Sequence, residues 1–270
     1  MIGRLGTVLL GAVAGMFLAT SAAAMCAPNT NDKLKCDNAM NKSLSKFIGS
    51  KQKCVTKCQA NARTGKEPAD DCIPPYGGPT LTCIADPLKG AQAKAVAAII
   101  KGCAKGCPNC YSGGDCATEA NARVSGTEVQ VDIFVPNVYC DDSASPDGLT
   151  KEEAKCQDTV AKTLAKFAGS KSKCYAKCIG TQFKNGELQC QPPGCLPPAT
   201  DQVAVACITK AETKAVETVD KACGPNNPEC YDGTPLRPDS GAGWVALGEA
   251  GVDGGIVVTY CGSPSAAFLH

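Results

Sequence analysis

Cys36 to Cys58 reads CDNAMNKSLSKFIGSKQKCVTKC, and Cys156 to Cys178 reads CQDTVAKTLAKFAGSKSKCYAKC. At a constant offset of 120 residues, 12 of these 23 positions are identical. The correspondence extends along the chain: Ala95-Val96 matches Ala215-Val216, Cys103 matches Cys223, and Cys110-Tyr111 matches Cys230-Tyr231. Cys72 and Cys190 each open a C-x-P-P stretch, and Cys140 and Cys261 each follow a tyrosine. Repetition of this kind marks one folding unit written twice. It predicts cysteine-rich repeats over 25–140 and 154–270, joined by a linker at 141–153 that is rich in turn formers and acids.

Each repeat reads as two helices followed by a β-rich tail. Cys36, Met40, Leu44, Phe47, Cys54 and Cys58 share one side of a helix. A second helix is expected from about Asp86 to Lys105, carrying Leu88, Ala91, Ala95, Ile99 and Cys103 on one face, with a counterpart from about Val203 to Ala222. Val129, Val131, Ile133 and Val135 alternate with polar residues as in a half-buried strand, and Ile256-Val257-Val258 follows the turn-like Asp253-Gly254-Gly255. The expected fold is therefore mainly α with a little β: two tandem, disulfide-stapled helical hairpins, each with a short β tail.

The chain carries 20 cysteines, all beyond residue 25. After residue 24, Leu, Ile, Val and Phe make up only 41 residues, a thin supply for an apolar core of this length. A net charge of +1 does not suit a disordered chain. Cross-links standing in for core satisfy both observations. Residues 1–24 agree with that chemistry: Arg4, an apolar run from Leu5 to Ala19, and Ala22 and Ala24 in A-x-A spacing read as a cleaved signal peptide. The expected destination is a periplasm or the extracellular space.

Antiparallel packing of each hairpin pairs Cys36 with Cys103, Cys58 with Cys83, Cys156 with Cys223 and Cys178 with Cys207. Cys54 is then left for Cys72, Cys174 for Cys190, Cys110 for Cys140 and Cys230 for Cys261. Cys207 lies four residues late in its register, so Cys174 is its alternative partner. Of the four unmatched cysteines, Cys107 and Cys116 pair locally, which leaves Cys26 with Cys195. Spacing does not fix connectivity by itself.

Lys42, Lys46, Lys53 and Lys57 fall at about 0°, 40°, 20° and 60° around their helix, and Lys162, Lys166, Lys173 and Lys177 repeat the stripe. Segment 33–66 carries a net +8 and segment 110–153 a net −7, so the small overall charge hides a strong segregation. The stripes suit contact with an anionic polymer or surface, or serve only as a solvated face. Scarce arginine and little aromatic interleaving argue against specific nucleic-acid binding. Lys51 and Lys171 lie instead at about 180°, on the apolar face, where long stems are expected to snorkel past the core edge.

Catalytic signatures are few. The one histidine is His270, which leaves no Ser-His or Cys-His machinery. Gly241 to Ala246 echoes a dinucleotide fingerprint without a preceding strand. Asp141, Asp142, Ser143 and Ser145 echo a calcium loop without its central glycine, and Cys107-Pro-Asn-Cys110 has chelate or redox spacing. Disulfide formation in an exported chain accounts better for these cysteines, so no metal and no cofactor are expected. The expected function is a non-catalytic binding or structural module. One alternative is a carrier holding an apolar ligand between the hairpin helices, against Leu44, Phe47, Leu88 and Ile99. The other is a carboxylate-based hydrolase.

Overall fold

Thr30 opens the first helix by accepting the Lys33 backbone N–H on its hydroxyl at 3.3 Å, a standard N-cap. In this computed structural model, which describes residues 30–111, 114–140, 148–185 and 194–260, that helix, α1, runs Asn31–Ala62. After a short 3-10 turn at Ala69–Cys72 come α2 (Gly78–Ala85), α3 (Ala91–Cys103), α4 (Cys116–Val138), α5 (Lys151–Lys184), α6 (Gln202–Cys223) and α7 (Gly241–Thr259). The signal-peptide segment and the calcium-like residues of 141–147 lie outside the described residues, as do Cys26, Cys190 and Cys261.

The described structure is mainly helical and bears many disulfides. Both expected β tails are helices. Val129, Val131, Ile133 and Val135 lie in α4, where Ala120, Val124, Val135 and Val138 are buried at helical rather than alternating intervals. Ile256-Val257-Val258 lies in α7. β-branched residues lower helix propensity only slightly, and tertiary contacts override that preference. The Asp115 cap starts α4, and a buried apolar stripe holds it in place. Lys151, Glu152 and Glu153, expected in the linker, form the first turn of α5, where Thr150 and Glu153 make a reciprocal capping box.

α1 and α5 lie side by side and antiparallel. Leu34 near the start of α1 shares a core cluster with Tyr175, Cys178 and Ile179 near the end of α5. Asn41 Nδ2 donates to the Ser172 carbonyl at 3.0 Å, and Arg63 reaches Asp158 at 3.3 Å. α3 packs on α1 and α6 on α5, clamped by Cys36–Cys103 and Cys156–Cys223. Cys107 bonds Cys116.

Several cysteines choose partners other than those expected. Cys54 bonds Cys83 and Cys58 bonds Cys72, an exchange of partners. The helix expected from about Asp86 begins only at Ala91, and Cys83 lies on the separate short helix α2, which sets it against Cys54 instead of Cys58. Leu88, expected on the buried face, lies between α2 and α3 and is 83% exposed. In the second half Cys174 bonds Cys207, the alternative register, and Cys178 bonds Cys195. The spatial counterpart of Cys72 is therefore Cys195, which also opens a C-x-P-P stretch, so neither Cys178–Cys207 nor Cys26–Cys195 forms.

The largest departure concerns the tails. Cys140 bonds Cys230, so neither Cys110–Cys140 nor Cys230–Cys261 forms; Cys110 is disulfide-bonded as well. The end of α4 crosses to the second half, where the Tyr231 hydroxyl donates to the Val138 carbonyl at 2.8 Å. The end of α7 crosses the other way: Tyr111 donates to the Thr259 carbonyl, and Tyr260 to Asn38 Oδ1 at 2.8 Å. The last residues of each tail thus reach the opposite half, while α4 packs mainly on α3 and α1, and α7 on α5 and α6. Among the described residues, no helix is long and apolar enough to cross a membrane.

Candidate functional site

The crossing tails leave a cleft. α1 and α5 form its floor, and α4 and α7 its two walls. Its volume is about 390 Å³, within the range of small-molecule sites. The floor presents Leu44, Ile48, Ala161, Leu164, Ala165 and Ala168; the α4 wall presents Val131 and Phe134, and the α7 wall Val252 and Val258. The uncharged polar side chains are amides and hydroxyls: Asn41, Ser45, Gln52, Thr127, Gln130, Tyr139, Ser172 and Thr259. The one charged side chain in the lining is Arg123, which is ion-paired with the buried Glu119 one helical turn away. Tyr139 accepts from Gln52 at 3.4 Å and lies 3.0 Å from the Thr56 hydroxyl. Burial, and then the negative charge of Asp158, hold its phenol well above the ordinary range, so it stays protonated.

This cavity is not where an apolar ligand was expected. Between the hairpin helices, Phe47 and Ile99 are fully buried in a packed cluster with Met40, Tyr111 and Val124. Of the four residues expected to hold a ligand, only Leu44 faces the cleft. The other cleft-lining residues escaped sequence reading because they come from four helices. Their one shared signal is position, on the seam where the two long helices meet.

All eight stripe lysines, Lys42, Lys46, Lys53, Lys57, Lys162, Lys166, Lys173 and Lys177, are exposed. On α1 the stripe lies about 130° around the helix from the cleft-lining residues. Lys162 has Asp158 at 3.8 Å.

Lys51 and Lys171 do not snorkel; they are fully buried. Lys51 Nζ meets Glu128 at 2.8 Å and Asp132 at 2.6 Å and lies 4.9 Å from the centre of the Tyr76 ring. Lys171 meets Glu249 and, at 2.9 Å, Asp253, beside the Tyr175 ring. Tyr76 and Tyr175 each donate to the aspartate at 2.7 Å. These are the acids of the supposed tails, and they neutralise buried ammonium groups. Each cage pins a cleft wall to its neighbouring long helix.

The remaining motifs resolve into packing. Cys36, Cys103 and Cys116 bring three sulfurs within 4.8 Å, but these belong to two disulfides lying against each other, so they offer no thiolate to a metal. Gly241 of the dinucleotide-like stretch begins α7, and its N–H donates to Asp220 at 2.7 Å. A Cβ there would stand 2.5 Å from the Val216 carbonyl oxygen. No protein-family model matches this chain, and no curated protein or solved structure matches it either.

Proposed function

We propose that this chain is an exported, non-catalytic binding module, a duplicated helical scaffold that carries a small apolar ligand in the cleft between its two halves. The observation that carries this reading is the cleft itself: a cavity of about 390 Å³, lined by aliphatic and aromatic side chains and holding no unpaired charge. Cavities of that lining favour apolar ligands, because binding removes apolar surface from water without stranding a charge. Dense disulfides suit an oxidising compartment, and the signal-like first 24 residues suit export. The carboxylates that a hydrolase would need in the tails hold Lys51 and Lys171.

Titration of delipidated protein with Nile red tests the reading. Saturable binding is expected, with loss of at least tenfold in affinity in Ala165→Phe, which fills the floor, and helicity unchanged. Absence of saturable binding, or binding indifferent to Ala165→Phe, overturns it.

A second contact surface is favoured by the exposure of all eight stripe lysines, which suits an anionic polymer or surface. Salt-sensitive retention on a heparin or phosphocellulose column, lost when the eight lysines become glutamine, supports that use. Retention unchanged by those substitutions removes it.

A further inference from the structure

Beside Val252 and Val258, the α7 wall of the cleft is rich in glycine. Gly248, Gly251, Gly254 and Gly255 all line the cavity. Glycine weakens a helix, so four in two turns call for a cause. Close packing supplies one at Gly248, where a Cβ would stand 3.3 Å from Leu164 Cδ2, and elsewhere in α7: a Cβ at Gly241 would stand 2.5 Å from the Val216 carbonyl oxygen, and one at Gly243 would stand 2.5 Å from Pro238 Cβ. No such cause exists for Gly251, Gly254 or Gly255, where an added Cβ meets nothing within 4 Å. Nor does the helix position forbid side chains. Counting back 121 residues, the spacing between Tyr139-Cys140 and Tyr260-Cys261, the equivalent residues of α4 are Gln130, Ile133 and Phe134. At these positions one wall carries side chains, and the other, between its valines, is bare backbone.

A bare helical face is flat and lets a ligand approach the main chain closely. From Gly248 to Gly255 it runs roughly 10 Å, about the length of a fused-ring skeleton. Opposite stand Val131 and Phe134 of α4. Along the floor, Asn41, Gln52 and Ser172 offer neutral hydrogen-bonding groups. Arg123, already paired with Glu119, gives no reward to an anionic head.

We infer that the ligand is an uncharged, rigid, fused-ring amphiphile of the sterol type, lying with one flat face on the α7 glycines and its hydroxyl towards the floor amides. This rests on the reading of the cleft as an apolar-ligand site. A flexible acyl chain would not need the bare wall, and an ionised carboxylate would find no free partner.

The test uses the delipidated full chain with two fluorescent probes, dehydroergosterol for the ring class and cis-parinaric acid for the acyl class. Dehydroergosterol is expected to bind saturably and at least tenfold more tightly than parinaric acid. Gly251→Leu should weaken dehydroergosterol at least tenfold. If that variant fails to fold, Gly255→Ala, which restores helix propensity, should still weaken it several-fold. Equal or tighter binding of parinaric acid overturns the ring assignment while leaving the apolar cleft in place. Dehydroergosterol binding unchanged in a folded glycine variant also overturns it. Binding of neither probe, together with no saturable Nile red signal, removes both readings.

Discussion

Lys51 Nζ and Glu128 Oε1 lie 2.8 Å apart, with the lysine side chain wholly enclosed and the carboxylate 20% open to water. Removing one member of such a pair is more harmful than removing both, because it leaves a buried charge uncompensated. Glu128 and Asp132 together neutralise Lys51, so the double variant Glu128→Gln/Asp132→Asn should destabilise the protein by about 3–5 kcal/mol. Lys51→Met, which leaves the acids near water, should cost less than the double variant. Urea unfolding of the two proteins decides the order, and the reverse order contradicts this account of the cage.

The equivalent cage around Lys171 contains a further acid. Glu212 stands where the first half has Gln92, and it hydrogen-bonds Glu249. Burial, then that hydrogen bond and the charge of Glu249, hold the Glu212 carboxyl above its ordinary value. Burial opposes ionisation of Glu249 too, but the bond and charge of Lys171 and the proton shared by Glu212 more than offset it, holding Glu249 below its ordinary value. Glu212 therefore contributes stability that is fully present below its unfolded pKa and lost as pH rises through its folded one. Glu249 has the opposite sign, its contribution being lost as pH falls through its lowered pKa. Glu212→Gln should remove the upper dependence and raise the melting temperature at neutral pH. Thermal melts from pH 3 to 8 measure it, and identical slopes above pH 4.5 in both proteins count against the shared proton.

Glycines within α7 should respond in opposite directions. Gly251→Ala and Gly254→Ala add a Cβ in open space, and each should stabilise the protein by about 0.5–1 kcal/mol through helix propensity. Gly241→Ala places a Cβ against the Val216 carbonyl oxygen and the Asp220 carboxylate and should destabilise it. Chemical denaturation of the three variants separates a helix kept bare for the cleft from one kept bare for packing.

Cys140–Cys230 ties the end of the first half to the second across 90 residues of sequence. The serine double variant should lose about 2–4 kcal/mol and retain helicity, since the hairpin bridges remain. Cys110 and Cys261 occupy the positions equivalent to Cys230 and Cys140. Non-reducing digestion followed by mass spectrometry should therefore join the Cys110 peptide to the Cys261 peptide; finding Cys110 joined to Cys140 would contradict the crossing.

The hairpin pairing of Cys36 with Cys103 was legible because both ends of the bridge are set by helical rise, a local quantity. Lys51 was legible as an oddity, a lysine at an apolar angle, but its carboxylate partners lie 77 and 81 residues further on in a helix that period-two alternation had suggested was a strand. Local propensity in 129–135 is ambivalent, and burial decided it. Choosing between Cys190 and Cys195 as the partner of Cys178 was beyond the sequence, because both open the same motif.

The internal sequence repeat, the long helices and the abundance of cross-links were determined by the amino-acid order itself, since periodicity and cysteine spacing act over tens of residues. The crossing of the tail ends, the cleft between the four helices, and the enclosure of Lys51 and Lys171 were decided only in three dimensions. They depend on contacts between residues far apart in sequence: α4 packs on α3 and α1, and α7 on α5 and α6, while the last residues of each reach the other half. Neither hydrophobic pattern nor cysteine spacing specifies where those last residues go. Contacts such as Tyr231 to the Val138 carbonyl and the Cys140–Cys230 bridge do, and they exist only once the chain has folded.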